Sequence, residues 1–124
     1  LHRSKFDWQR AEQRRDLNTL PGRVFQGLLR LIQLRTQNQA FYRADTEFVE
    51  TGNKHVFGFI RSNEQSMVFI LANFSEKQQF LEARRLRQMG MRKTMIDLFT
   101  GRPITATQQL VMEPYQFMVL SRVA

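Results

Sequence analysis

A chain of 124 residues with 42% hydrophobic and 11% aromatic content has the apolar mass for one packed domain, which excludes a disordered tail. It holds no cysteine, so disulfides and thiolate metal sites are excluded, and no run approaches the roughly 18–20 apolar residues of a membrane span. The formal charge of +8 is spread, with nine Lys/Arg against four Asp/Glu in residues 1–45 and ten against seven in the rest, so the chain is basic without one basic face.

Residues 1–6 show no period and read as a loop. The first residue is Leu1 and no apolar signal core follows, so the natural polypeptide is expected to extend upstream. Asp7 stands at an N-cap position before a short helix to about Arg15, with Trp8 and Ala11 on one side. Residues 16–22 make a turn, and Pro21 suits the first turn of the next helix, where a missing N–H has no partner to lose. That helix runs from Arg23 to Gln37. Its polar positions Arg23, Gln26, Arg30, Gln33 and Gln37 recur at steps of three and four and form one narrow stripe. Val24, Phe25, Leu28, Leu29, Leu31, Ile32 and Leu34 cover the remaining circumference, more than one supporting layer requires. Packing on two sides is expected, and an apolar face left bare predicts self-association.

From Phe41 onward the period falls from 3.6 to 2, the main organisational boundary in the chain. Strands are expected at Glu47–Thr51, His55–Arg61, Met67–Phe74, Gln79–Ala83, Lys93–Phe99, Gln109–Glu113 and Tyr115–Val123, with turns at Gly52-Asn53, Asn63-Glu64 and Thr100–Pro103. Val56, Gly58 and Ile60 share one face of the second, and His55, Phe57 and Phe59 the other. Met67–Phe74 is apolar on both faces and should be central in its sheet. The set predicts a mainly β fold, an antiparallel sandwich or barrel.

Catalysis by paired carboxylates needs two acids held close on rigid elements. Asp7 is absorbed as a cap, Asp16, Asp45, Glu64 and Glu76 lie at turns, and Glu47, Glu50, Glu82 and Glu113 fall at polar strand positions. Asp97 alone sits inside an apolar strand, where a hydrogen bond to the neighbouring turn accounts for it. His55 reads as a sheet-face residue, while His2, beside Arg3 in the opening loop, is the candidate functional histidine. The two histidines make no metal motif, and neither a hydrolase elbow nor a phosphate-cradling glycine loop is present. No catalytic constellation, cofactor or metal is therefore expected of this chain. Arg84, Arg85, Arg87, Arg92 and Lys93 form the densest basic cluster, read first as a solvated turn and second as a patch for an anion or nucleic acid. Phe57, Phe59, Phe69 and Phe117 are assigned to the core, and Trp8, Phe41 and Tyr42 to an interface with another domain. Aromatics exposed on a sheet face would instead mark a starch-binding module.

Several stretches, taken in order, resemble the C-terminal end of the alpha-amylase superfamily of glycoside hydrolases and transglycosylases, amylosucrase most of all. The carriers are the His2-Arg3 loop, Phe6-Asp7-Trp8 with Ala11-Glu12, the helix from Arg23 to Arg35, Ala72-Asn73-Phe74-Ser75, the turn from Asp97 to Gly101, and Glu113-Pro114-Tyr115-Gln116. Ser4 stands where relatives commonly carry Pro. The resemblance implies that residues 1–43 are the last loop and helical segment of a (β/α)₈ barrel and residues 44–124 a Greek-key-like C-terminal β-sandwich. It also implies that an Asp nucleophile, a Glu acid/base and a second Asp lie upstream of Leu1, at the C-terminal ends of barrel strands. No catalytic residue then falls on this chain, and only His2 and Arg3 approach substrate, at the mouth of the active site. The partner implied is the catalytic barrel of the same polypeptide. Such a parent would cleave sucrose with retention and pass glucose to an α-glucan. A sucrose phosphorylase, an α-glucosidase and a trehalose synthase are the alternative parents.

Overall fold

A computed structural model describes residues 3–91 and 94–123 of the chain. They form two compact units that divide between Gln37 and Asn38. In the first unit, α1 (Trp8–Glu12) starts where expected, because the Asp7 carboxylate accepts the Arg10 N–H at 3.0 Å. A 3₁₀ turn (Gln13–Arg15) follows, and α2 spans Leu20–Gln37. Helix α2 begins three residues before its expected start because Thr19 caps it. The Thr19 hydroxyl accepts the Gly22 N–H at 3.1 Å and donates its own proton to the Asp16 carbonyl at 2.7 Å. Gly22 is buried against that turn, and a Cβ there would lie 1.8 Å from the Asp16 carbonyl oxygen, so only glycine fits. The apolar residues Val24, Phe25, Leu28, Leu29, Leu31 and Ile32 are all exposed, with Leu28 at 56% and Ile32 at 58%.

The second unit opens with a 3₁₀ turn (Gln39–Phe41) and contains β1 (Asp45–Phe48), β2 (Val56–Ser62), β3 (Met67–Asn73), β4 (Gln79–Leu81), α3 (Ala83–Gln88), β5 (Met95–Asp97), β6 (Pro103–Ile104), β7 (Leu110–Met112) and β8 (Phe117–Arg122). Six strands make an antiparallel sheet in the order β1-β2-β3-β8-β5-β6, and β4 pairs with β7 in a second, two-stranded sheet. β3 is internal, as its two apolar faces require. Because β8 lies between β3 and β5, the chain leaves the large sheet after β3, builds β4 and α3, and returns at β5. This is the expected Greek-key-like antiparallel fold.

The period-2 pattern of β2 works out as read: Val56, Gly58 and Ile60 are buried while Phe57 is exposed and Phe59 half-buried. The buried face joins Phe69, Leu71, Met118 and Leu120 of the large sheet to Leu81, Leu110 and Met112 of the small one, with Leu86 of α3 between them. All six methionines of the chain line or abut this core, where an unbranched, polarisable side chain fills gaps that branched residues leave. Gly58 has no room to spare, since a Cβ would come within 2.9 Å of methyl groups on Val49 and Thr51.

Some expectations need correction. His55 precedes β2 in a turn closed by Asn53, whose Oδ1 accepts the His55 N–H at 2.9 Å, so it is not a sheet-face residue. Phe57 lies outside the core. The basic cluster is not simply a turn: Arg84, Arg85 and Arg87 stand on α3, a helix anchored by the buried Leu86, while Arg92 and Lys93 lie outside the described residues. Both edges of the large sheet are blunt. β1 is exposed along its length and carries Asp45 and Glu47, and β6 is two residues long and starts with Pro103.

Candidate functional site

The outward face of the six-stranded sheet is the feature that calls for a functional account. Strand alternation and register decide its membership. Phe59 of β2 pairs with Phe48 of β1 on one side and Ile70 of β3 on the other, and Ile70 pairs with Val119 of β8. Those four make one continuous apolar row across four strands. The next row is Phe57, Ala72 and Phe117. A third, Thr46, Arg61 and Val68, is the only one of the three with a charged member, and the Arg61 guanidinium donates to the Thr46 hydroxyl at 2.7 Å.

Part of this face is covered from within. Ala40 and Phe41 of the 3₁₀ turn pack on Val68 and Val119, with Ile70, Leu98 and Phe117 around them. The rest is open. Phe48, Phe57 and Phe74 are 72%, 46% and 70% exposed. Phe57 is the hub, 5.7 Å from both Phe48 and Phe59 and 6.5 Å from Phe74 between ring centroids, within the range where aromatic rings attract one another. Four phenylalanines joined through one hub on a solvent face form an apolar patch of the kind that marks an interface.

Two buried polar residues hold the sheet in shape behind that patch. Asp97 sits at the end of β5, and its carboxylate accepts from the Phe99 N–H at 3.2 Å, the Thr100 hydroxyl at 2.8 Å and the Val119 N–H at 3.1 Å. This is the hydrogen bond to a neighbouring turn that its apolar setting predicted, and the side chain is 2% exposed with both oxygens engaged. Asn73 ends β3. Its amide nitrogen donates to the carbonyls of Lys77 and Glu113 at 2.8 and 2.9 Å, and its oxygen accepts from Ser75.

His2 lies outside the described residues, and Arg3 is exposed in irregular chain before α1. Arg87, one of the basic cluster, is engaged locally, donating to the Ala106 carbonyl at 2.8 Å. Among the described residues no group of three or more His, Asp or Glu is arranged to hold a metal, and no helix is long and apolar enough to cross a membrane. The aromatic face itself escapes a sequence reading that assigns Phe57 and Phe59 to the core. The signal that separates the faces is Gly58: a residue that must lack a Cβ belongs to the crowded side, which puts its neighbours on the open one.

Comparison with known proteins agrees with this architecture. Residues 46–119 match the family model described as the C-terminal domain of maltogenic amylase. A glucan 1,6-alpha-glucosidase of Streptococcus pneumoniae serotype 4 is 34% identical over 61 residues, 49% of this chain but only 11% of that protein. A variant of AmyP crystallised with maltotriose superposes with a TM-score of 0.70 at 18% identity, over 86% of this chain and 22% of that one. MutB with bound glucose gives 0.63 at 18% identity, over 86% and 19%, and a second MutB structure, holding the substrate sucrose, gives 0.55 at 18% identity, over 73% and 16%. The chain thus spans about a fifth or less of the length of the proteins it matches.

Proposed function

The chain belongs to the maltogenic amylase C-terminal domain family and is the C-terminal region of an alpha-amylase superfamily protein, and from that premise we propose that it braces the catalytic barrel of a sucrose- or α-glucan-acting enzyme. The observation that carries this reading is the open aromatic patch of Phe48, Phe57, Phe59 and Phe74, backed by a sheet that Asn73 and Asp97 hold in shape. A barrel surface set against that patch would remove it from water. At roughly 25 cal/mol per Å² of apolar area, even a few hundred Å² contributes several kcal/mol. The exposed apolar sides of α2 support the same conclusion, with residues 1–43 as the last loop and helix of the barrel and residues 44–124 as the all-β domain.

The chain itself does no chemistry in this reading. The parent performs retaining glucosyl transfer with acids on the barrel, and His2 and Arg3 alone come near its active-site mouth. The amylosucrase-like assignment rests on the ordered motifs from His2 to Gln116. The match to a glucan 1,6-alpha-glucosidase supports the coarser reading of an α-glucan-acting parent and suits the alternative parents as well as amylosucrase. The test is to express the full natural polypeptide and assay it on sucrose. Fructose release with growth of an α-glucan supports the assignment. Hydrolysis of maltooligosaccharides with no fructose from sucrose replaces amylosucrase with an α-glucosidase, and a product with neither activity overturns the enzyme reading.

A further inference from the structure

The small sheet shares its inner side with the core of the large one, so its outer side faces opposite to the phenylalanine patch, and covering that patch leaves it untouched. Exposure alternates along residues 109–113: Gln109, Val111 and Glu113 are exposed, and Leu110 and Met112 are buried. Val111 pairs with Phe80 of β4, and the two, 39% and 46% exposed, form the apolar centre of the outer side. The backbone at Val111 is open as well. The Phe80 carbonyl accepts from Asn53 Nδ2 at 3.2 Å and the Glu113 N–H donates to Gln116 Oε1 at 2.8 Å, so neither group serves the β4–β7 ladder. The ladder bonds therefore belong to Gln79 with Met112 and Leu81 with Leu110, and Phe80 with Val111 is the non-hydrogen-bonded pair between them. In such a pair each residue turns its N–H and C=O away from the partner strand. Those of Val111 point to the edge of β7, where no further strand is paired among the described residues.

The pattern of this edge suits a second copy of itself. Set about a two-fold axis at Val111, two β7 strands run antiparallel, and the two valines exchange both of their backbone hydrogen bonds. The same register puts Gln109 of each copy opposite Glu113 of the other, an amide donor against a carboxylate. One oxygen of that carboxylate is held by Gln78 Nε2 at 2.8 Å, which leaves the second for the incoming amide. Glu113 is the only charged residue of the five, and it meets a neutral partner, so the like-charge clash of many self-paired strands does not arise. The apolar pair of Phe80 and Val111 becomes a row of four. We propose that β7 pairs with β7 of a second copy, joining the small sheets into one of four strands in the order β4-β7-β7-β4. The contact is small, so the dimer is weak and forms at high protein concentration. The pairing rests on the small sheet alone and holds for any parent activity.

The test is sedimentation equilibrium of the full natural polypeptide over a wide range of concentration. The expected result is a dimer whose dissociation constant rises about fivefold in Gln109→Glu and falls about fivefold in Gln109→Lys, since each change acts at two symmetric pairs. Gln109 and Glu113 lie four positions apart on one strand, about 13 Å, and do not meet within one copy. Opposite effects of the two Gln109 variants therefore report the register between copies. Val111→Lys sets like charges against each other at the axis and should leave only monomer. The Gln109 variants, at an exposed position, decide the matter if Val111→Lys fails to fold. A monomer at the highest concentration overturns the proposal and leaves the edge to a strand of another protein. A dimer that none of these changes shifts, but that Phe57→Lys abolishes, overturns it by placing the contact on the phenylalanine patch.

Discussion

The side-chain amide of Asn73 donates to the backbone carbonyl of Glu113 at 2.9 Å, across 40 positions of sequence. It ties the last residue of β3, in the large sheet, to the residue following β7, in the small one. The same nitrogen also donates to Lys77, and the oxygen takes both the N–H and the hydroxyl of Ser75. One side chain therefore sets the spacing of the two sheets and the shape of the turn between β3 and β4.

Asn73→Ala should lower unfolding free energy by about 2–4 kcal/mol, because several buried backbone groups lose a partner at once. Asn73→Asp should lower it further, since an acceptor oxygen would then face carbonyl oxygens. Urea denaturation followed by circular dichroism measures both, and an Asp variant as stable as the Asn protein would contradict the bonding described.

Asp97→Ala should likewise destabilise by about 2–4 kcal/mol, through loss of charge-assisted bonds to Phe99, Thr100 and Val119. Asp97→Asn keeps one acceptor oxygen and should retain part of that stability. If the parent polypeptide's specific activity per folded molecule is unchanged in Asp97→Asn, the residue is structural, as its burial and its three partners imply.

The two glycines of α2 should respond in opposite directions to the same substitution. A methyl group on Gly27 would meet nothing within 4 Å, so Gly27→Ala should stabilise the helix by about 0.5–1 kcal/mol through reduced chain entropy. Gly22→Ala would drive a methyl into the Asp16 carbonyl and should detach the Thr19-capped turn. Hydrogen exchange at the first turn of α2 reports the difference: faster in Gly22→Ala, slower or unchanged in Gly27→Ala.

Taken without its parent, the chain should self-associate through the open sides of α2. Leu28→Lys combined with Ile32→Lys, four residues apart on one helical face, should shift sedimentation toward monomer. A clean monomer for the unsubstituted chain at high concentration would argue against this surface being sticky on its own.

Legibility followed how local the cause was. The cap at Asp7, the alternation of β2, the central position of β3 and the hydrogen-bonded role of Asp97 each depend on a few neighbouring residues and could be read from their order. Helix α3 could not, because its six residues, Ala83–Gln88, are mostly arginine and glutamine around a single buried Leu86, too few apolar positions to reveal a period. A polar groove beside Tyr42 was invisible for a different reason. Its walls come from residues 39–45 and 62–65, which the pairing of Asp45 with Ser62 and the Asn63 side chain bring together. Faces of a sheet were half legible: alternation separates Phe57 from Val56, but only the crowding at Gly58 says which set looks inward.

The blunt margins of the large sheet carry a consequence for what an uncovered aromatic face can do. Along β1 an incoming strand would have to accommodate the acids Asp45 and Glu47, and at β6 it would find two residues, one of them a proline with no N–H to give. Molecules of this kind can meet front to front, burying their phenylalanines, more readily than they can add strand upon strand to the large sheet. For the large sheet, growth by strand addition is thereby disfavoured at both margins, and its exposed aromatics are left to face-to-face contact.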